Sequence, residues 1–348
     1  MEFTRRDFVR NSLLGAGYLF FSPANLHAIP PKAEGWRPAY EKLEKEGKLE
    51  QRVKKAYSLF QRCQMCPRQC GVNRQKGEKG FCQAPAKAMV YSYHPHFGEE
   101  VPLVGEHGSG TIFFSHCNLR CIFCQNWPIA HEGRGKQVED EELADMMIDL
   151  QKMGCPNINL VTPTHVMPNI LGATRIALKK GLHLPIMYNT SGYERIEMLK
   201  IIDGVIDIYK PDVKYMDSAQ AGKYSSGASD YPEVTKKAVL EMHRQVGVLQ
   251  SDKQGLAVRG VIIRHLVMPN RVAGTEKFAK WVAENLPKNT YVNIMAQYRV
   301  EYKAYDYPEI ARGITVEEFL EAMDWAKRYG LYNLDPKSVM MKKIYERR

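Results

Sequence analysis

The sequence predicts an α/β fold: a partial (β/α)6 barrel of the TIM type, preceded by a four-cysteine metal module. The first observation is a regular alternation of short apolar runs with segments whose apolar residues recur at helical spacing. Such alternation is typical of a parallel sheet with helices outside it. The second is a count of six strand–helix units, fewer than the eight of a closed barrel. The third is a cysteine cluster directly after the first strand, at the strand end where parallel α/β folds locate their chemistry.

The six strands are short and mostly apolar. They are predicted at residues 111–115, 157–161, 184–188, 205–209, 261–267 and 291–295. The helices that follow them are predicted at residues 139–153, 167–180, 194–202, 276–285 and 316–329, with a longer helical region that ends near residue 245. In the first of these helices Leu143, Met146 and Leu150 recur on one face, and acidic residues occupy the first turn, where the helix dipole favours them.

The composition is that of a soluble protein with a sizeable core. Of 348 residues, 44% are hydrophobic and 25% are charged, which excludes disorder as the main state, a collagen-like repeat and a polytopic membrane protein. The net charge of +10 is compatible with nucleic acid, an anionic cofactor or an acidic partner and selects none of them. The basic C-terminal residues lack a stacking platform or a recognised RNA-binding motif, so no nucleic-acid partner is expected.

Four segments are expected along the chain: a signal segment at 1–28, an N-terminal extension at 29–108, a barrel core at 109–300 and a C-terminal helical extension at 301–348. The first segment combines Arg5 and Arg6 with an apolar run at 13–21 and small residues at 24–28, and it resembles a twin-arginine (Tat) export signal. The apolar run is too short to span a bilayer as a helix, so no transmembrane domain is expected beyond this segment. Export to the periplasm is predicted, with a cytoplasmic or a membrane-anchored location as the alternatives.

Three cysteines stand on one short loop after the first strand. Cys117, Cys121 and Cys124 form a C-x3-C-x2-C arrangement. Thiolates are soft ligands that favour iron or zinc, and three of them on one loop suit three corners of an iron–sulfur cluster. Because no fourth cysteine lies nearby, one iron of such a cluster would stay open to an exogenous ligand. The alternatives are a zinc site and unligated buried thiols.

Four further cysteines form a separate front module, residues 63–82. They are Cys63, Cys66, Cys70 and Cys82, with glycines at the turns between them. Four thiolates describe a closed metal site, for which zinc and a second [4Fe–4S] cluster are both reasonable, with structural zinc slightly favoured. The eighth cysteine, Cys155, stands beside an apolar strand and is expected to be a small buried residue.

The C-x3-C-x2-C loop resembles the defining motif of the radical S-adenosylmethionine (SAM) superfamily. Cys117, Cys121 and Cys124 match its catalytic triad, and Phe123 stands where that family carries an aromatic residue. The resemblance implies a [4Fe–4S] cluster whose open iron binds SAM. One electron then cleaves the sulfonium to methionine and a 5′-deoxyadenosyl radical, which abstracts hydrogen from a substrate. The stretch 124–127 is similar to that of relatives of the pyruvate formate-lyase activating enzyme, and a one-electron donor such as flavodoxin or ferredoxin is an implied partner.

Polar residues at the other strand ends are candidates for binding SAM. The family often has an acidic residue after the second strand; it is missing here, so Thr162, Thr164 or a backbone carbonyl would replace it. Asp212 and Lys214 resemble a stretch that activating enzymes carry near the SAM carboxylate, and His265 lies in a segment similar to one whose histidine approaches SAM. The third strand ends in small groups suited to a carboxylate or ribose: Asn189, Thr190 and Ser191. The sixth strand ends in the candidate substrate residues: Gln297, Tyr298 and Arg299.

Three functions are compatible with these features. The first is an activating enzyme that abstracts hydrogen from a backbone glycine of a partner protein. The second is a radical SAM enzyme that acts on a small molecule or another macromolecule, because function depends on the site and not on the fold. The third is an iron–sulfur electron carrier without SAM chemistry.

Overall fold

A computed structural model describes residues 36–347 of the chain. The predicted signal segment, residues 1–28, lies outside the described residues. Within them, no helix is both long enough and apolar enough to cross a bilayer.

A mixed sheet organises the described part of the chain. In chain order its strands are β1 (Ala88–His96), β2 (Ser109–Phe114), β3 (Lys136–Val138), β4 (Ile158–Val161), β5 (Ile186–Thr190), β6 (Ile208–Pro211), β7 (Gln250–Ser251), β8 (Ala257–Leu266) and β9 (Tyr291–Met295). Six strands run parallel, side by side in the order β2, β4, β5, β6, β8 and β9. These are the six predicted strands, with ends that differ by up to four residues. The partial (β/α)6 barrel is confirmed.

Three strands lie outside the prediction. β1 pairs antiparallel with β2, β3 pairs antiparallel with β1, and β7 pairs antiparallel with β8. Most residues of β1 are half-buried or exposed. The strand therefore lacks the continuous apolar run that marks a strand buried on both faces.

Helices connect the strands and cover the outer face of the sheet. They are α1 (Ala39–Lys45), α2 (Lys48–Ser58), α3 (Val101–Val104), α4 (Trp127–Ala130), α5 (Asp140–Lys152), α6 (Met167–Lys179), α7 (Ile196–Ile201), α8 (Ser218–Tyr224), α9 (Tyr231–Val246), α10 (Thr275–Asn285), α11 (Val316–Arg328) and α12 (Pro336–Tyr345). The start of α5 is fixed by a capping interaction, in which the backbone N–H of Glu139 donates to the Glu142 carboxylate at 2.9 Å.

The two faces of the sheet have opposite character. Successive side chains of a strand alternate between faces. Outward residues such as Ile112, Leu160 and Ile263 join the apolar core beneath the helices. Many inward residues are polar and bond to one another or to the loop before α3, and they include Thr111, Asn159, Asn189, Lys210, Arg264 and Asn293. Other inward residues, Met187, Ile208, Ile262 and Tyr291, form a separate apolar cluster with Leu103. The barrel interior therefore has a polar part and an apolar part.

The N-terminal extension packs against the barrel. The Asp207 carboxylate, just before β6, accepts hydrogen bonds from the backbone N–H of Ala39 at 3.0 Å and of Ile186 at 3.3 Å. On the neighbouring helix, the Tyr57 hydroxyl donates to Asp140 at 2.5 Å. These buried polar contacts give α1 and α2 a defined position against the central strands.

Candidate active site

The cluster loop, residues 115–124, leaves the carboxyl end of β2 and turns sharply. His116 and Arg120 adopt left-handed backbone angles, with φ of 73° and 51°, which is uncommon for residues with a side chain. The backbone N–H of Ile122 donates to the Tyr224 carbonyl at 3.0 Å and so joins the loop to α8. Such strain persists only where surrounding contacts impose it, and it concentrates at functional sites.

Of the cysteines of this loop, Cys121 is buried, whereas Cys117 and Cys124 are half-buried. Burial raises the pKa of Cys121 to about 11 and that of Cys124 to about 12, although the Lys214 ammonium opposes both shifts. Within residues 36–347, no three Cys, His, Asp or Glu side chains are already gathered as a ligand set. Three soft sulfur donors on one loop nevertheless fit a [4Fe–4S] cluster with one open iron, and metal binding would displace their protons.

Aromatic side chains form the wall behind the cluster loop. The ring of Phe123 is buried and packs against Tyr215 and Tyr298, with centroid separations of 6.2 and 6.0 Å. The Tyr298 hydroxyl donates to the Ile310 carbonyl at 2.8 Å. Of the candidate substrate residues, Tyr298 thus supports the loop from behind, while Gln297 and Arg299 on either side are exposed.

A segment from the C-terminal part of the chain covers one side of the loop. The rings of Trp127 and Tyr302 stack with centroids 5.5 Å apart. The backbone N–H of Lys303 donates to the Ile122 carbonyl at 2.9 Å. The cover therefore joins the loop after β9 to the loop after β2.

A charged group lies at the carboxyl edge of the sheet, beside the cluster loop. The Asp212 carboxylate accepts from Arg264 Nε at 2.7 Å and from Lys214 Nζ at 2.6 Å. Arg264 Nη2 also donates to Asn189 Oδ1 at 3.0 Å. Burial alone would raise the pKa of Asp212, but the two cations outweigh it and hold the pKa at about 2. The structure thus brings together the predicted residues Asn189, Asp212 and Lys214, with Asp212 ionised.

Two predicted hydroxyls lie elsewhere. Thr164 donates to a carboxylate oxygen of Glu194 at 2.5 Å, and Thr190 donates to the same oxygen. Tyr188 donates to the other oxygen at 3.4 Å. Burial raises the pKa of Glu194 to about 7, although the three hydroxyls counteract it. The hydroxyls of Thr164 and Thr190 are therefore committed to a buried carboxyl group between β4 and β5.

His265 also lies away from the charged group. Its ring is fully buried and stacks on Phe278 of α10 with centroids 4.2 Å apart. Burial holds the pKa of this imidazole at about 4, so the ring is neutral. Nδ1 donates to the Val213 carbonyl at 2.7 Å, and Nε2 accepts from the Thr275 hydroxyl at 2.9 Å. Both ring nitrogens already have hydrogen-bond partners on the helix side of the sheet. The contact between His265 and SAM therefore stays a prediction.

The remaining two predicted contacts are at strand ends. Thr162 has a left-handed φ of 61°, and its backbone N–H donates to the Asn189 carbonyl at 2.9 Å. Among residues 36–347, the buried Ser191 hydroxyl finds no hydrogen-bond partner. An unpartnered buried hydroxyl costs free energy, which a ligand group at this strand end would recover.

Sequence reasoning missed the ion pairs inside the barrel. Lys210 is fully buried between Glu99 and Glu100, bonding to both, with 3.3 Å to Glu100. Asn159 donates to Glu99 at 2.7 Å, and Asn293 donates to Glu100 at 2.8 Å. Strand alternation could have indicated these ion pairs. Lys210 lies two residues before Asp212, so the two side chains lie on the same face of the sheet.

The four cysteines of the front module interact electrostatically with one another, although within residues 36–347 they are not already gathered as a ligand set. Cys63, Cys66 and Cys82 are buried and Cys70 is half-buried. Burial raises the pKa of Cys66 and of Cys82, and the other thiols of the module add to this shift. The donor set suits either zinc or a four-cysteine iron–sulfur cluster.

Fold and site together define a parallel α/β enzyme with a thiol loop for a metal cluster at the carboxyl edge of its sheet. Residues 111–247 match the family model of the radical SAM superfamily. The chain belongs to the radical SAM superfamily, as the cysteine triad predicted. Membership implies a [4Fe–4S] cluster and SAM as cofactors.

Two relatives from Methanocaldococcus jannaschii resemble most of the chain. Uncharacterized protein MJ0674 is 35% identical over 294 residues, which cover 81% of this chain and 79% of the relative. Uncharacterized protein MJ0808 is 25% identical over 289 residues, which cover 75% and 79%.

Solved structures are more distant. Methylornithine synthase (PylB) is 13% identical with a TM-score of 0.45, covering 90% of this chain and 81% of that one. Streptococcus suis SuiB bound to S-adenosylmethionine is 13% identical with a TM-score of 0.44, covering 63% and 47%. Likenesses of this size say nothing about the substrate.

Proposed function

We propose that the protein cleaves SAM reductively at a cluster held by Cys117, Cys121 and Cys124, and abstracts hydrogen from a substrate. The observation that carries the proposal is the position of the charged group. Asp212, Arg264 and Lys214 lie beside the three-thiol loop, and the charge of Lys214 acts on Cys121.

The charged group suits the methionine end of SAM, which carries an ammonium and a carboxylate. Asp212 is ionised and can accept from the ammonium, while Lys214 or Arg264 can donate to the carboxylate. The unpartnered Ser191 hydroxyl and the Asn189 amide can receive the ribose hydroxyls. These five residues therefore bind and orient the cofactor without changing their own protonation.

Cys117, Cys121 and Cys124 would hold the cluster, which with bound SAM and one electron would supply reductive cleavage of the sulfonium to methionine and an oxidising carbon radical able to take a hydrogen atom from the substrate. The chain's own contribution is exclusion of water, through the aromatic wall of Phe123, Tyr215 and Tyr298 beside the buried Cys121. A flavodoxin or ferredoxin is the proposed electron donor, and the net charge of +10 suits such acidic partners.

The test is an anaerobic reconstitution followed by counts of iron, sulfide and zinc, then addition of SAM and dithionite. We expect 5′-deoxyadenosine from the wild type and none from Cys121→Ala. Cys155→Ala is the matched control, because Cys155 is buried but belongs to neither cysteine group. An intact cluster that does not cleave SAM would contradict the proposal and leave the electron-carrier function in its place.

The finer proposal concerns the substrate. Activation of a glycyl-radical protein is favoured by the likeness of residues 124–127 and of Asp212 and Lys214 to activating enzymes. A small polar molecule is the second candidate, favoured by the polar interior around Lys210 and Arg264. Incubation with SAM, reductant and a candidate partner protein separates them: a glycyl-radical signal in the partner's electron paramagnetic resonance (EPR) spectrum supports activation. Absence of that signal with every candidate partner, despite SAM cleavage, would contradict it.

A further inference from the structure

One side chain of the front module reaches into the cluster loop. Arg68 stands between Cys66 and Cys70, and its Nε donates to the carbonyl of Asn118 at 3.2 Å. Its Nη2 donates to the carbonyl of Ser225 at 3.0 Å. The Ser225 hydroxyl in turn donates to Cys121 Sγ at 3.1 Å. A single guanidinium thus connects the two cysteine groups.

The position of this guanidinium is fixed from several sides. It stacks over Phe81 of the front module, 3.9 Å from the ring centroid. Asn118, which accepts its hydrogen bond, is fully buried and donates to the Tyr193 carbonyl at 2.8 Å. Because the fork of Arg68 spans two backbone carbonyls, a displacement of the front module would move the cluster loop with it.

A second arginine of the module is connected by hydrogen bonds to Ser115, two residues before Cys117. Arg74 is 2% exposed, and its Nη1 donates to the His165 carbonyl at 2.7 Å. The His165 ring donates to the Ser115 carbonyl at 2.7 Å through Nε2. The front module is therefore joined to the cluster loop both within the triad and just ahead of it.

Charge explains why a metal-filled module would need a buried cation. Four thiolates around either Zn2+ or a [4Fe–4S]2+ cluster carry a formal double negative charge, and a buried charge is stable only when it is paired. Arg74 lies among the thiols of Cys63, Cys66 and Cys82. Arg68 offers its backbone N–H to Cys66 and directs its guanidinium to the cluster loop. Arg74 therefore supplies one fixed cation to a dianionic site, whichever of the two metals fills it.

We infer that the front module is a metal-filled clamp on the cluster loop, with Arg68 as the positioning residue that transmits its state to Asn118 and Cys121. The inference rests on the proposed function only in taking the triad as the site of the radical cluster. Its consequence is that loss of the front metal loosens a loop whose own three cysteines are intact.

The experiment uses anaerobically loaded full-length protein, without SAM turnover. The variants are Arg68→Ala and Arg68→Lys, and the control is Arg62→Ala, an exposed arginine of the preceding turn. Hydrogen exchange of residues 117–124 and the EPR spectrum of the reduced triad cluster are recorded. We expect exchange about tenfold faster in Arg68→Ala, an altered EPR spectrum, and partial recovery in Arg68→Lys, which can serve one carbonyl but not two.

A double variant tests the coupling itself. Cys63→Ser should lose the front metal and speed exchange in residues 117–124, and Arg68→Ala added to it should have a smaller effect than it has alone.

Zinc and iron counts identify the metal of the front module, and a module without either would overturn the inference. Unchanged exchange and spectra in Arg68→Ala would overturn it, as would equal changes in Arg62→Ala or fully additive effects. Since neither readout requires SAM cleavage, failure of the proposed function would be recognised separately.

Discussion

Arg264 and His265 are neighbours on β8, yet their side chains lie on opposite sides of the sheet. Arg264 reaches inward to Asp212 at 2.7 Å, whereas His265 stacks outward on Phe278 at 4.2 Å. Alternation along a strand makes this unavoidable for any two consecutive residues. Arg264, and not His265, is therefore the residue of this strand that lies in the charged group beside the cluster loop.

Substitutions on the two sides of β8 should affect SAM affinity differently. Asp212→Asn removes a carboxylate from the charged group and is expected to weaken SAM binding by about tenfold or more, since a charged hydrogen bond is worth about 1.5–3 kcal/mol. His265→Gln should leave SAM affinity unchanged and lower the free energy of unfolding by about 1–3 kcal/mol, because Val213 and Thr275 lose buried partners. Anaerobic equilibrium binding and urea titration measure the two effects. Equal losses of affinity in both variants would place His265 at the cofactor after all.

The ion pairs inside the barrel should be costly to break singly. Lys210→Met leaves Glu99 and Glu100 buried without their cation, and we expect a loss of about 3–5 kcal/mol in the free energy of unfolding. Adding Glu99→Gln removes one stranded charge, so the double variant should be more stable than Lys210→Met alone. Denaturant titration of four proteins, the wild type, Lys210→Met, Glu99→Gln and the double variant, gives the interaction energy. A double variant that loses the sum of both effects would argue against a coupled pair.

Glu194 predicts a pH dependence of stability. Its pKa is raised from about 4.5 to about 7 by burial, so the folded protein holds this proton more tightly than the unfolded chain does. The stabilisation is complete below pH 4.5 and is lost as the pH rises to 7, by on the order of 3 kcal/mol. Glu194→Gln keeps hydrogen bonds to the hydroxyls and does not titrate. Its stability relative to wild type should therefore increase between pH 4.5 and 7; a constant difference would contradict the raised pKa.

Gly133 should be essential for the position of His116 beside Cys117. A Cβ at Gly133 would stand 2.3 Å from His116 Cε1, and the residue has φ of 71°. Gly181, with φ of 94° and open space around it, is the matched control. Both alanine variants carry about 1–2 kcal/mol of backbone strain, but only Gly133→Ala should reduce the iron bound per chain after reconstitution. Equal iron in the two variants would show that the loop tolerates a shifted His116.

The central strands could be predicted because each is apolar on its outward face. Residues such as Ile112 and Ile263 must be apolar to pack beneath the helices, and this requirement is visible in the sequence. β1 could not be found in this way, because it is only partly covered and reads as a mixture of aromatic, polar and apolar residues. β1 depends on pairing with its neighbours β2 and β3, which a local pattern does not contain.

The sequence predicts that the site lies at the strand ends, but it does not predict which residues at those ends face the same side of the sheet. Asp212 and Lys214 meet beside the cluster loop as expected, whereas Thr190 faces Glu194 in the layer beneath the helices. Which side a residue takes depends on the register of its strand, and a shift of one residue reverses it. Arg68 could not be recognised at all from the sequence, since its partners stand 50 and 157 positions away.

The cover on the cluster loop has a consequence for the order of synthesis. Tyr302 and Lys303 close over Trp127 and Ile122, but they are made long after the three cysteines. A nascent chain therefore exposes its thiol loop on this side while the last strand and its loop are still unmade. In the finished chain the same side of the loop is already covered, so iron and sulfide added in a reconstitution meet the thiols from the sides that the cover leaves open.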